Sequence, residues 1–219
     1  MTWVINNLGL IGELTLAHIG LSLIPVVLGA FLSIPIGWLA HRFPLARGSI
    51  LGVVGIFYTI PSLALFVLLP PLFGFPILSE LNVIVALVIY AVAIMVRTVA
   101  DAFASIEPHT LRSATAMGYA EWGRFFSVEL PLAGPVLLAG LRVVAVSTVS
   151  LVTVGVLVGI QSLGYLFTDG FQRKIVSEVF TGVVMTFLIA LIVDALLVLI
   201  GRLVLPWSHL AKKPVEAGA

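Results

Sequence analysis

The chain has 219 residues, of which 61% are hydrophobic and 10% charged, with a formal net charge of +1 and a mean hydropathy of +1.23. A water-soluble domain carries about a quarter charged residues, so this chain cannot clothe a water-facing surface and most of its exterior must face lipid. The small net charge gives nucleic acid no electrostatic footprint, and the absence of cysteine excludes disulfides, thiol chemistry and cysteine-held metals.

A membrane span needs about 20 mostly apolar residues, and the sequence has room for five or six. The opening segment, residues 1–16, contains Trp3 to Leu16, too short and polar to span; it reads as an outer interfacial segment or a cap on the bundle. No basic leader with a small-residue cleavage site is seen there, so no cleaved signal peptide is expected. The first apolar stretch runs from His18 to Leu39 and ends at His41-Arg42, with Arg47 close behind. The second runs from Ile50 to Leu72 and closes on Pro70-Pro71 and Phe73-Gly74. A polar patch, Ser79-Glu80 with Asn82, opens the third, which extends to Val96. Arg97 to Pro131 is the one long polar-to-amphipathic stretch, and a fourth span follows from Gly134 to Val158. The segment Gln161 to Glu178 is mixed, the last span runs from Val179 to Leu205, and the tail carries Lys212-Lys213. The histidines His18, His41, His109 and His209 are never at ligand spacing, so no metal site is expected.

Lys and Arg concentrate on the cytoplasmic side of membrane proteins. With the N-terminus outside, the inner loops and tail hold Arg42, Arg47, Arg112, Arg124, Arg202, Lys212 and Lys213, while the outer segments hold Arg173 and Lys174. That bias predicts five spans with the N-terminus outside and the C-terminus in the cytoplasm. Proline and glycine are frequent within the spans, among them Pro25, Pro35, Pro61 and Gly140. They serve either bundle packing or hinges along a pathway, and Pro61 is a candidate of the second kind.

Ionisable groups in a membrane are costly and mark pathways or helix ties. Asp194 sits near the middle of the last span, either as a contact for a cationic substrate or as a carboxyl tying helices together, with no partner visible in the sequence. Arg97 and Asp101 are four apart on one helix face and can pair. With Arg142 in the fourth span they form a candidate inner gate, or else snorkel toward headgroups. The segment around Tyr165, Phe167, Asp169 and Phe171 would face a delivering partner on this topology.

The stretch from Pro108 to Pro135 reads PHTLRSATAMGYAEWGRFFSVELPLAGP. Helix-forming residues Thr110 to Ala116 are interrupted by Gly118, and a second short helix begins near Ala120. Leu111, Ala114, Met117, Trp122, Phe125, Phe126 and Val128 give it an apolar surface, suited to docking another protein or to lying flat on its own bundle or the headgroups. Gly118, with Val128 ten residues later and then Leu130-Pro131, resembles the signature loop of ABC importer permeases: Glu-Ala-Ala, three residues, Gly, nine residues, an apolar residue, any residue, Leu-Pro. In that family the loop forms the coupling helix that sits in a cleft of the ATP-hydrolysing subunit. Here Arg112 and Ser113 stand where the motif has Glu and its first Ala, while Ala114 matches. The resemblance runs from Leu16 to Pro206 and is strongest to permeases for glycine betaine, carnitine and choline. FYTIPSLALFVLLPPLFG is similar to their second span, and LIALIVDALLVLIGRLVLP to their last, aspartate included.

The resemblance implies an all-α membrane protein of about five transmembrane helices with a cytoplasmic coupling helix, the type I ABC importer permease fold. Its parts would be an outer segment 1–16, a transmembrane domain 17–206 with the coupling loop at 108–131, and a cytoplasmic tail 207–219. It implies a bacterial inner-membrane permease that works as a dimer with an identical or paralogous copy, an ABC ATPase dimer and an extracytoplasmic substrate-binding protein. The chain has no GxxxxGK[ST] phosphate loop, so ATP and Mg would be held by the partner ATPase and no catalytic residue or cofactor is expected here. A permease for another small solute such as a polar amino acid is the alternative; a secondary transporter would leave the coupling loop without a purpose.

Overall fold

The computed structural model describes residues 2–74, 76 and 78–207; the tail lysines Lys212 and Lys213, and His209, lie outside the described residues. Among the described residues every regular element is helical. A short α1 (Thr2–Asn6) leads into α2 (Leu8–Arg42), followed by α3 (Pro44–Thr59), α4 (Ser62–Phe73) and α5 (Glu80–Ala104). Then come α6 (Pro108–Ala116), α7 (Glu121–Arg124), a π-helical turn (Phe125–Glu129) and α8 (Leu130–Val152). A 3-10 turn (Thr153–Val158), α9 (Gly164–Gln172) and α10 (Val176–Val204) complete the chain. Four helical stretches are long and apolar enough to cross a membrane, and the bent pair α3–α4 counts as a fifth.

The first span begins earlier than its hydropathy suggests. α2 has 35 residues, about 52 Å at the helical rise of roughly 1.5 Å per residue, against a hydrocarbon core of about 30 Å. The boundary expected at residue 16 therefore falls inside one continuous helix. Together with α1 its first turns act as a cap on the bundle: Trp3 of α1 and Leu10 pack with Leu14 against Leu163, Leu166 and Ile189.

The stretch from Ile50 to Leu72 is not one straight span. α3 and α4 meet at a bend of 105°, because Pro61 has no N–H to continue the ladder and drives the preceding residue out of helical geometry. Ile60 is extended, with ψ 127. Backbone groups freed inside a membrane need partners, and α5 supplies them: the Tyr90 hydroxyl donates to the Ile60 carbonyl at the break, and buried Asn82 Nδ2 donates at 2.9 Å to Phe66 O, which has no helical partner because Pro70 lacks an N–H. The polar residues on α5 thus serve carbonyls left free by the bend and by Pro70 in the preceding hairpin.

α5 is the central helix, packed by α2, α3, α4 and α8. Against α2 the approach is so close that a Cβ on Gly37 would lie 2.5 Å from that of Val99 and 2.8 Å from the Val96 carbonyl; only glycine fits. His18, fully buried on α2, ties that helix to α8 through Nε2 and the Val149 carbonyl, 3.0 Å apart. By contrast α3 buries no residue and α10 buries few, leaving apolar side chains such as Phe180, Phe187 and Leu191 on the outside. That surface suits lipid or another apolar partner, as composition requires.

Candidate coupling surface and membrane charge pair

The stretch from α6 to Pro131 is built by two backbone devices. α6 opens with Pro108, whose missing N–H would be unpaired in the first turn anyway. It closes on a Schellman turn: Gly118 N–H donates to Thr115 O at 3.0 Å and Tyr119 N–H to Ala114 O at 3.2 Å. The turn needs a left-handed residue, and Gly118 has φ +92. Nothing lies within 4 Å of a Cβ built there, so glycine serves conformation and not space. The chain then re-enters a helix at Glu121 and widens into the π turn Phe125–Glu129 just before Pro131. Leu130 N–H reaches back five residues to Phe125 O. The wider turn gives room at the point where Pro131 lacks a donor and its ring crowds the preceding turn.

Side chains then fasten this stretch to the bundle. Arg124 is the hub: Nε donates to Oε1 of the buried Glu129 at 2.7 Å and Nη1 to Thr115 Oγ1 at 2.9 Å, joining α6 to the π turn. Glu121 accepts from Arg42 at the end of α2, at 2.9 Å. Trp38 of α2 stacks on Trp122 with ring centroids 6.5 Å apart and meets Phe125 edge-on at 5.6 Å, while Phe125 also lies 5.7 Å from Phe103 of α5. A cavity of about 130 Å³ opens among Trp38, His41, Arg42, Glu121, Trp122 and Glu129. On the outer side Trp122 is 72% exposed and Phe126 61%, with Met117 and Tyr119 exposed beside them. A concentration of aromatic rings at the tip of a loop is a docking surface in composition.

Of the motif residues, Ala114 is buried and Ser113 half-buried, while Arg112 points outward with a long 3.4 Å bond to Pro108 O. Val128 and Leu130 are half-buried, Leu130 packing beneath the loop with the α5–α8 core. The sequence places Arg42 and Arg124 among the inner charges without giving either a partner, and nothing in it marks Trp38. The ends of α2 and of the loop are 79 positions apart, and only folding brings them together.

The charges expected to form one inner gate fall into separate groups. Asp101 pairs with Arg47 of α3 at 2.8 Å and not with Arg97, which makes no ion pair among the described residues. Sharing a helix face permits a pair, but α3 offers a cation from across the bundle. Arg142 meets Asp194 instead, in a two-pronged pair with Nε–Oδ1 at 2.6 Å and Nη2–Oδ2 at 2.8 Å. The aspartate without a visible partner therefore has one, 52 positions away on α8. Pro61 lies at the α3–α4 break, apart from both.

At the α9 end, Asp169 accepts from Arg173 Nη1 at 2.9 Å, one turn along. Burial raises the Asp169 carboxyl, but the bond from Arg173 and a neighbouring Glu178 outweigh it and hold the group below the usual carboxylate range. A second cavity of about 280 Å³ is lined there by Gly159, Gln161, Tyr165, Thr168, Asp169 and Gln172.

Residues 16–206 match the family described as binding-protein-dependent transport system inner membrane component. The chain is 29% identical over 197 residues to the osmoprotectant import permease protein OsmW of Salmonella typhimurium, covering 89% of this chain and 92% of that one. It is 30% identical over 216 residues to the glycine betaine/carnitine/choline transport system permease protein OpuCB of Bacillus subtilis, covering 99% and 98%. In three dimensions it superimposes on the inward-facing MetNI methionine ABC transporter with a TM-score of 0.83 at 20% identity, over 91% of this chain and 98% of that one. That likeness establishes the type I importer permease fold.

Proposed function

The chain belongs to the binding-protein-dependent inner-membrane transport components, and we propose that it is the permease subunit of an ATP-driven importer for osmoprotectants such as glycine betaine, carnitine or choline. The near end-to-end similarity to permeases named for those solutes carries the cargo assignment. The Schellman turn at Gly118, the π turn before Pro131 and the exposed aromatic tip support coupling to a separate ATPase. ATP and Mg belong to that subunit, and this chain contributes no chemistry.

The Lys/Arg asymmetry supports an outer N-terminus and a cytoplasmic C-terminus, placing α6 and α7 on the cytoplasmic face and α9 on the outer face. A second permease copy, identical or paralogous, would complete the pathway, and an extracytoplasmic binding protein would deliver cargo near α9. Closure of the ATPase dimer would push on α6 and α7, which pass the movement to α2 through Arg42 and Trp38 and to α5 through Phe103. Pro61, Arg97 and Asp101 stand as candidate pathway or gate residues alongside Arg142 and Asp194.

The test is uptake of labelled glycine betaine, carnitine and choline by cells lacking their own systems. The cells would express this chain with its ATPase, binding protein and any second permease. Uptake that needs the ATPase is the expected result. An assembled complex that imports none of the three would sink the cargo assignment, and uptake without the ATPase would sink the importer.

A further inference from the structure

The Arg142–Asp194 pair is out of place as a structural tie. Arg142 lies twelve positions into α8 and Asp194 ten before the end of α10, roughly 15–18 Å from the same end of the bundle at the helical rise. A hydrocarbon core of about 30 Å puts that near mid-membrane. Yet the two side chains are 42% and 32% exposed. Charges at that depth do not face lipid; they face protein or a water-filled route. A separate apolar groove between α2, α8 and α10, lined by Ile19, Val26, Leu141, Ile189, Val193 and Ile200, has no polar side chain. The bundle thus offers a surface compatible with lipid elsewhere, and the ion pair marks where it is not.

We propose that the exposed Arg142–Asp194 pair is a transit site for small zwitterions, Arg142 taking the cargo carboxylate and Asp194 its cationic group. The proposal rests on the permease reading above and names the charge class it transports. A zwitterion can enter beside the pair and exchange partners with it, so that no charge is left unpaired at any stage and net charge never changes. Arginine provides the planar fork that a carboxylate needs. A cation lacking a carboxylate must instead compete with Arg142 for Asp194 and leaves the guanidinium without the two-pronged carboxylate partner it holds at rest. The site therefore favours glycine betaine and carnitine over choline.

The experiment compares ATP-dependent uptake by proteoliposomes holding the whole complex with its binding protein. The cargo panel is glycine betaine, carnitine, choline and a zwitterionic amino acid. The variants are the neutral pair Arg142→Gln with Asp194→Asn, and the conservative Arg142→Lys, each checked for intact stoichiometry. The neutral pair is expected to lose zwitterion uptake by roughly tenfold or more, because it offers neither the charged fork for the carboxylate nor a counter-charge for the cationic group. Arg142→Lys, which keeps the charge without the fork, is expected to lower the uptake rate for zwitterions several-fold at saturating cargo-loaded binding protein and leave the rate for choline in place. An unchanged zwitterion uptake rate in Arg142→Lys overturns the site, including where the neutral pair fails to assemble. So does an intact neutral-pair complex with wild-type zwitterion uptake, or a wild-type complex that carries only choline. Pair-dependent uptake of the amino acid alone would overturn the osmoprotectant reading and uphold this one.

Discussion

Gly118 is the residue on which the coupling stretch turns. Its φ of +92 is reached freely by glycine, and an L side chain there costs about 1–2 kcal/mol even with open space around it. Gly118→Gln should therefore leave the bundle folded and disturb the α6 exit alone. Uptake is expected to fall to background, with the ATPase either lost from the purified complex or hydrolysing ATP without transport. Normal coupled uptake would show that the left-handed turn is not needed. This residue was legible in the sequence because a motif spacing carries it. Arg124 was not: its bonds to Thr115 and Glu129 span the turn, and no spacing rule names an arginine that holds both sides of a loop.

Among the elements, the α3–α4 hairpin shows how a sequence reading loses shape while keeping content. The apolar stretch from Ile50 to Leu72 has the length of a span, and Pro61 is visible within it. What hydropathy cannot show is that Tyr90, on another helix, satisfies the carbonyl the break exposes. With that partner a 105° bend is stable in lipid; without it the freed carbonyl carries a desolvation cost. Tyr90→Phe keeps the ring and removes the donor, so the fold should lose about 1–3 kcal/mol, read as a lower thermal unfolding midpoint in detergent. An unchanged midpoint would mean that the Ile60 carbonyl finds another partner.

For the whole molecule, the question is how movement at the loop tip reaches the spans. Trp38 lies between Trp122 and Phe125 while belonging to α2, the longest helix and the one packed most extensively on α5. Trp38→Ala removes those ring contacts and leaves the Arg42–Glu121 pair, which at 49% and 78% exposure is worth at most about 1 kcal/mol. In assembled complexes, ATP hydrolysis is expected to continue while solute imported per ATP falls several-fold, a loss of coupling in the sense of a broken two-state link. A wild-type ratio of transport to hydrolysis would place the mechanical link on α5 or α8 and not on α2.

Composition alone determined the solvent of this protein. At 10% charged residues no folded arrangement can hide the apolar surface from water, so lipid follows from composition, and helices in about five spans follow from apolar stretches of about 20 residues, before any contact is known. Local sequence likewise determined the turn after α6 and the entry into α8, since proline and glycine act through their own backbone geometry. Charge partners were decided only by tertiary structure. Arg97 and Asp101 share a helix face, but Asp101 turns to Arg47 and Asp194 finds Arg142 across 52 positions. A charge in a membrane takes the nearest opposite charge in space, and nearness in space is what helix packing, not sequence spacing, creates.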